Sequence, residues 1–410
     1  MKIILYTDSY FFSLCCIIKL SDFEYAKERA VSLHYLDNAA TTRPCAEAVQ
    51  TANEVLALHY ANPSSLYAQG AKSEAVLTAA RETLAKALGC KASEVVFTAS
   101  GSEGNNIAIL GAAKTRCHWG KHIVATAYEH PSVQNTVAAL EKDGFSVTLI
   151  APGKDGLVPM DAIVNAVTDK TVLVTAMHVN NETGAYLDVA ALARAVKAKN
   201  SRTAVHIDGV QAFCKLKLAL GEGGIDSYAV SGHKIHAPKG VGALYLRRGY
   251  HITPVLFGGG QEGGMRPGTE NVAYCAAFAA ACARGQQALS ANAAQINHLV
   301  TMLWQGLADL PGITRNSPES AVCGIANFSC ENIKSETMLH FLESRDIYVS
   351  GGSACSKGAK SHTLAAMQLA DMRIDTALRI SIGDENTEED IRCLLAALRE
   401  GMATLAKIRR

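Results

Sequence analysis

Thr203-Ala204-Val205-His206-Ile207-Asp208 ends a short apolar run on a carboxylate, and Ser227-Tyr228-Ala229-Val230-Ser231-Gly232-His233-Lys234 ends the next one on a lysine. A third run, Gly240-Val241-Gly242-Ala243-Leu244-Tyr245-Leu246, follows closely. A lysine held between two strands differs from a solvated one. Burial lowers its pKa and readies it as a Schiff-base amine and proton carrier. Asp208 falls at the carboxyl end of its strand, where open α/β sheets place ligands.

The pattern continues upstream. Val95-Val96-Phe97, Ile123-Val124-Ala125, Val147-Thr148-Leu149-Ile150 and Val172-Leu173-Val174 are short β-rich runs, with helical patterns over 103–115, 132–142 and 188–198 between several of them. Helices also read over 46–59, after Pro44, and over 71–88. This alternation predicts an α/β fold with a mostly parallel sheet covered by helices. After about residue 290 the character changes. Ile296, Leu299, Val300 and Leu303 mark an amphipathic helix, and Thr387-x-x-Asp390 reads as a capping box ahead of Ile391, Leu394, Leu395 and Leu398. The expected division is an extension over 1–33, a large domain over 34–290 whose first residues pack with the small one, and a smaller α+β C-terminal domain over 291–410. In the extension, Lys2 precedes an apolar stretch that Asp8 interrupts, and no small-residue cleavage site follows.

The chain has 410 residues, with 39 Lys and Arg against 38 Asp and Glu. That length predicts two domains with ample core. Near-zero net charge and the absence of a basic stripe argue against nucleic acid, and no apolar run of about 18 residues predicts a membrane span. Twelve cysteines are scattered without a CxxC pair, so neither a zinc site nor a disulfide framework is expected. Most read as small buried hydrophobes in a reducing cytoplasm. Cys355 differs. It stands in Ser350-Gly351-Gly352-Ser353-Ala354-Cys355-Ser356-Lys357-Gly358, whose small residues leave a thiol accessible.

Further candidates follow strands. Ala99-Ser100-Gly101-Ser102-Glu103 leaves one strand and opens a helix, so its free amides form an anion cradle with the Ser102 hydroxyl. Asp208 can keep a pyridine nitrogen protonated, with Gln211 near the ring hydroxyl. His130 can stack on an aromatic ring, transfer protons, or simply cap a helix. Asn180-Asn181-Glu182-Thr183-Gly184 is a site loop or a turn. The glycine-rich stretch over 258–269 reads as a phosphate or interface loop.

Several motifs carry a more specific resemblance. They are Tyr35-Leu36-Asp37-Asn38-Ala39-Ala40-Thr41-Thr42, Asn62-Pro63-Ser64-Ser65, Glu129-His130, His178-Val179-Asn180-Asn181-Glu182-Thr183-Gly184, His206-Ile207-Asp208, Ser231-Gly232-His233-Lys234, Gly352-Ser353-Ala354-Cys355 and Leu378-Arg379-Ile380-Ser381. With the 258–271 loop they make the chain resemble a cysteine desulfurase of the class V aminotransferase family, within fold type I of the pyridoxal-phosphate (PLP) transferases. The resemblance runs from Tyr35 to about Leu405 and implies a seven-stranded sheet in the large domain. By resemblance, Lys234 carries PLP in Schiff-base linkage. Asp208 pairs with the pyridine nitrogen, Gln211 reaches the ring oxygen and His130 stacks on the ring as a catalytic group. Gly101, Ser102, Ser231 and His233 hold the phosphate. Thr269 reaches the phosphate of a neighbouring subunit, which implies a homodimer. Asn181 touches cofactor and substrate, and Arg379 and Asn38 orient the substrate, with Arg379 on its α-carboxylate.

The implied reaction takes sulfur from L-cysteine, leaves L-alanine and holds the sulfur as a persulfide on Cys355. The sulfur then passes to an acceptor protein, a scaffold or carrier for iron–sulfur assembly or tRNA thiolation. A selenocysteine lyase or another class V aminotransferase shares much of the site, and a catalytically weak sulfur-relay partner is the reading from a different class. Three positions depart from the usual pattern. Ser100 stands where glycine is more usual, Gly104 where serine is common, and Asp384 where a basic residue is frequent.

Overall fold

The computed structural model describes residues 33–351 and 360–405. Cys355, with the rest of its predicted loop over 352–359, lies outside the described residues, as does the predicted extension apart from Leu33.

The strands in chain order are β1 (His34–Tyr35), β2 (Val95–Thr98), β3 (His122–Thr126), β4 (Ser146–Ile150), β5 (Thr171–Met177), β6 (Ala204–Asp208), β7 (Ser227–Ser231), β8 (Gly242–Leu246), β9 (Ile313–Arg315), β10 (Ile325–Cys330), β11 (Ile347–Tyr348), β12 (Ser350–Gly351) and β13 (Ala377–Ser381). The helices are α1 (Ala46–Leu58), α2 (Ala68–Leu88), α3 (Gly101–Arg116), α4 (Pro131–Lys142), α5 (Met160–Ala166), α6 (Val189–Lys199), α7 (Val272–Gln287), α8 (Leu289–Ala308), α9 (Ser335–Glu343), α10 (His362–Ala366), α11 (Asp371–Asp375) and α12 (Glu388–Thr404).

Seven strands form one sheet in the order β2-β8-β7-β6-β5-β3-β4. Strand β8 is antiparallel to both β2 and β7, while the remaining pairs are parallel. All strands except β8 therefore point the same way, and their carboxyl ends share one rim. Side-chain alternation divides the apolar residues between two cores. Val95, Val124, Val174, Val205, Ile207 and Val230 face the core shared with α1, α2, α6 and α7. Val96, Ile123, Leu173, Ala204 and Ala229 face the other, under α3 and α4. Burial on both faces explains why these strands read as continuous apolar runs. Each fully buried Val or Leu contributes about 1.5–3 kcal/mol relative to exposure.

Helix α2 begins at Ala68, three residues before the helix expected over 71–88. Gly70 weakens the helical pattern there. It is nevertheless helical, and glycine is required because a Cβ there would lie 2.4 Å from the Ser65 carbonyl oxygen.

The C-terminal part has its own antiparallel sheet, in the order β12-β13-β10-β9. Leu299 and Leu303 of α8 and Ile391, Leu394 and Leu398 of α12 bury against it. The capping box at the start of α12 is present, with Thr387 N donating to Asp390 Oδ2 at 2.7 Å. Leu36 joins this core, and β1 pairs in parallel with β11. The start of the described chain is thereby tied to the C-terminal sheet.

Candidate active site

The carboxyl-end rim of the large sheet opens into a cavity of about 250 Å³. Its lining is drawn from the ends of β5, β6 and β7, from the turns after β2 and β3, and from β13 of the small sheet. This is the location expected for a ligand in an open α/β sheet.

Lys234 ends the short 3-10 turn Gly232–Lys234 that follows β7. Its Nζ donates to the carbonyls of Ala39 at 2.7 Å and Ala40 at 2.6 Å. The amine is thereby held at the cavity wall by the segment around Asn38. Asp208, the last residue of β6, is 2% exposed. Its Oδ2 accepts from Asn105 Nδ2 at 2.8 Å and its Oδ1 from Val210 N at 3.0 Å. Gln211, three residues after the end of β6, donates from Nε2 to Ala39 O at 2.9 Å and accepts from Lys215 Nζ at 3.2 Å.

His130 caps a helix and also lines the cavity. Its Nδ1 caps α4 by accepting from Ser132 N at 3.1 Å, and the ring lines the cavity. Burial lowers its pKa, partly opposed by the nearby Asp208 charge. His233 also lines the cavity, with Nδ1 3.1 Å from Thr41 Oγ1. Burial and the positive charge of Lys234 bring its pKa down to about 4, so the ring is neutral at physiological pH.

Ser100, Gly101 and Ser102 line the cavity at the N-terminus of α3. Ser100 is the N-cap, accepting from Glu103 N at 3.2 Å, which gives the unusual serine a structural role. A Cβ on Gly101 would lie 2.5 Å from Val210 Cγ2. Gly104 brings α3 onto β7, where a Cβ would meet that of Ala229 at 3.3 Å. The residues present suit PLP. Free helix amides and the Ser102 and Ser231 hydroxyls suit a phosphate, the buried Asp208 suits a pyridine nitrogen, and Lys234 supplies an amine.

Arg379, on β13, closes the cavity from the small sheet and is 2% exposed. Its Nη1 donates to the carbonyl of Asn181, another lining residue, at 3.0 Å, and its Nη2 to Asp37 Oδ1 at 2.7 Å. Its Nε is buried without a hydrogen-bond partner. Two sequence candidates stand apart. Asn38 does not line this cavity; its carboxamide donates to Ser381 O at 2.9 Å and Asn386 Oδ1 at 3.0 Å. Thr269 is exposed and also absent from the lining. Asp384 pairs with His236 and Arg284, each at 2.8 Å, so basic partners surround the acid that replaces the usual basic residue.

Four polar residues of this region carry no role in the sequence reading: Asp37 and His206, which appear there only within motifs, and Asn105 and Ser132. Two had a readable signal. His206 lies two residues before Asp208 on one strand, so both face α3, and Asn105 lies four residues after Gly101 on the same helix face.

Comparison with known proteins agrees with this geometry. The family model for aminotransferase class-V matches residues 34–394. A NifS/IcsS protein homolog from Lactobacillus delbrueckii subsp. bulgaricus is 37% identical over 386 residues, covering 91% of this chain and 98% of the relative. A cysteine desulfurase IscS from Clostridium botulinum is 35% identical over 370 residues, covering 89% and 93%. A solved NifS-like protein superposes with a TM-score of 0.86 at 33% identity, over 90% of this chain and 99% of that one. With the match spanning both sheets and every described wall of the cavity, the chain belongs to the class-V aminotransferase family.

Proposed function

We infer that this protein is a PLP-dependent cysteine desulfurase, converting L-cysteine to L-alanine and passing on the sulfur. The observation that carries the reading is the convergence of Lys234, Asp208 and Arg379 on one cavity from three separate parts of the fold. Relatives named cysteine desulfurase at about 35% identity support it.

PLP, when bound, supplies an electron sink for the substrate Cα. The chain's own residues do the rest. Asp208 holds a proton on the ring nitrogen, and the Asn105 and Val210 donors keep its carboxylate aimed. Lys234 takes and returns the proton at Cα. Arg379, which lines the cavity, orients the α-carboxylate through its planar guanidinium, whose fork sets the angle. His130, its pKa lowered by burial, lines the cavity beside Asp208. The Cys355 thiolate attacks the substrate sulfur; an S–S bond forms, the Cβ–S bond breaks, and its electron pair is protonated at Cβ to give alanine. Only the thiolate is competent. Cys330 and Cys323 are poor substitutes, because burial pushes their thiols up to about 12 and about 11.

The sulfur acceptor is a protein, a scaffold or carrier serving iron–sulfur assembly or tRNA thiolation. The working form is a homodimer. Leu58, Tyr60, Leu66, Tyr67 and Phe257 are each more than half exposed, an apolar surface that a second copy would cover, and Thr269 is free to reach the partner's cavity. Among the described residues no helix is long and apolar enough to cross a membrane. The cytoplasm, reducing enough to keep the thiols free, is the compartment that suits this chemistry. Incubation with L-cysteine and a reductant, measuring alanine and sulfide together, tests the reading. Equal yields are expected, and alanine without sulfide would exclude it.

A further inference from the structure

A chain of hydrogen bonds whose polarity is determined runs from the cavity wall, at His130, Ser132, Asn105 and Asp208, to the buried His206. Asp208 Oδ2 sits 2.8 Å from one polar atom of the Asn105 side chain. An ionised carboxylate only accepts, so that atom is the amide nitrogen and the orientation of the carboxamide follows. Asn105 Oδ1 then faces His206 Nε2 at 3.0 Å. A carbonyl oxygen only accepts, so His206 carries its proton on Nε2. Its Nδ1 is bare and accepts from the Ser227 hydroxyl at 2.9 Å. Burial drives the His206 pKa down to about 3, which keeps the ring neutral as this pattern requires. The second Asn105 N–H goes to Ser132 Oγ at 2.9 Å. Ser132 then directs its own proton to His130 Nδ1 at 2.8 Å, beside its backbone N–H. His130 is left with its proton on Nε2.

We propose that Asn105 is the positioning residue of this site, its single carboxamide holding Asp208 and, through Ser132, His130 in register with the buried His206. Asn105 is 1% exposed, and each of its polar groups is used once or twice. Neither aspartate nor a longer amide reproduces the pattern. Aspartate would set an acceptor against Asp208, and glutamine needs room for a further methylene in a packed helix–sheet seam. Asn105 lines the cavity beside Asp208 and His130, and it acts through the side chains it holds. The inference rests on the desulfurase reading only for what is being positioned.

The test combines spectra of PLP-free protein labelled with [15N]histidine and kinetics of the PLP-loaded enzyme. Long-range 1H–15N correlations distinguish histidine tautomers, and the His130→Gln and His206→Gln proteins assign the two rings among the 13 histidines. In the wild type both rings are expected with the proton on Nε2. In Asn105→Ala, His206 loses its acceptor and switches the proton to Nδ1, because the Ser227 hydroxyl can rotate to accept it. The same variant should keep PLP and a KM for L-cysteine within about twofold, while kcat falls about tenfold or more, the usual cost of losing an outer partner of a functional group. A wild-type His206 protonated on Nδ1, or an Asn105→Ala enzyme with unchanged kcat, overturns the proposal. The wild-type spectrum needs no variant, so the claim stays testable if Asn105→Ala does not fold. A protein that binds PLP yet makes no alanine from cysteine sinks the functional reading, while the tautomers still decide the positioning of Asp208 and His130.

Discussion

Arg379 donates from Nη2 to Asp37 Oδ1 at 2.7 Å, so the arginine facing the substrate cavity already carries a carboxylate from the beginning of the described chain. Asp37 bridges in parallel to Ser381, two residues past Arg379 on β13, which sets the two side chains side by side. Burial raises the pKa of Asp37, and the guanidinium opposes that rise. The contact to the Asn181 carbonyl adds a third segment. One side chain thus joins the start of the described chain, the loop after β5 and the small sheet.

The first prediction follows from that geometry. Arg379→Lys has no planar fork, and one ammonium cannot serve Asn181, Asp37 and a substrate carboxylate together. KM for L-cysteine should rise about tenfold or more, at a cost of about 1.4 kcal/mol per factor of ten. PLP absorbance should not change. An unaltered KM would remove Arg379 from substrate binding.

Lys234→Ala should abolish lysine-bound PLP and its visible band. Borohydride reduction followed by mass spectrometry of the peptide reads this directly. A reduced PLP adduct found on another lysine of the variant would show that the amine was misassigned.

Cys355→Ala should keep PLP and still change its spectrum on adding L-cysteine, because Lys234, Asp208 and His130 are untouched. Persulfide and alanine formation should fall to background. After a cysteine pulse of the wild type, the extra sulfur should sit on the peptide containing Cys355. Labelling of Cys323 or Cys330, with turnover intact in Cys355→Ala, would contradict the assignment.

Glu129 gives a pH prediction. It is buried, accepts from Met177 N at 2.8 Å and from the Thr126 hydroxyl, and its Oε2 has no partner. Burial, with the charge of Asp208 adding to it, raises its pKa from 4.5 to about 8. A raised folded-state pKa contributes stability that is fully present below 4.5 and is lost as pH rises through about 8. Glu129→Gln removes this dependence. The stability of the variant relative to wild type should grow by about 2–4 kcal/mol between mildly acidic and mildly alkaline pH, at 1.36 kcal/mol for each unit of pKa shift. Denaturant melts across that range measure it; parallel curves would show that Glu129 is ionised in the folded protein.

The sequence by itself determined which residues form the strands and what chemistry sits at their ends. Runs such as Val172-Leu173-Val174 and Ala204-Val205-His206-Ile207 are local signals, since a strand buried on both faces needs apolar residues throughout. Asp208 and Lys234 were legible for the same reason, each being a polar residue closing an apolar run. Tertiary structure alone decided what meets across the sheet. The turn of Asn38 away from the cavity onto Ser381 and Asn386, and the pairing of Asp37 with Arg379, join residues more than 340 positions apart. No local periodicity encodes such contacts. The Asn105 carboxamide is the same case. Helix α3 carries it and strand β6 carries Asp208 and His206, and only the packing of that helix on that face makes one amide answer to both.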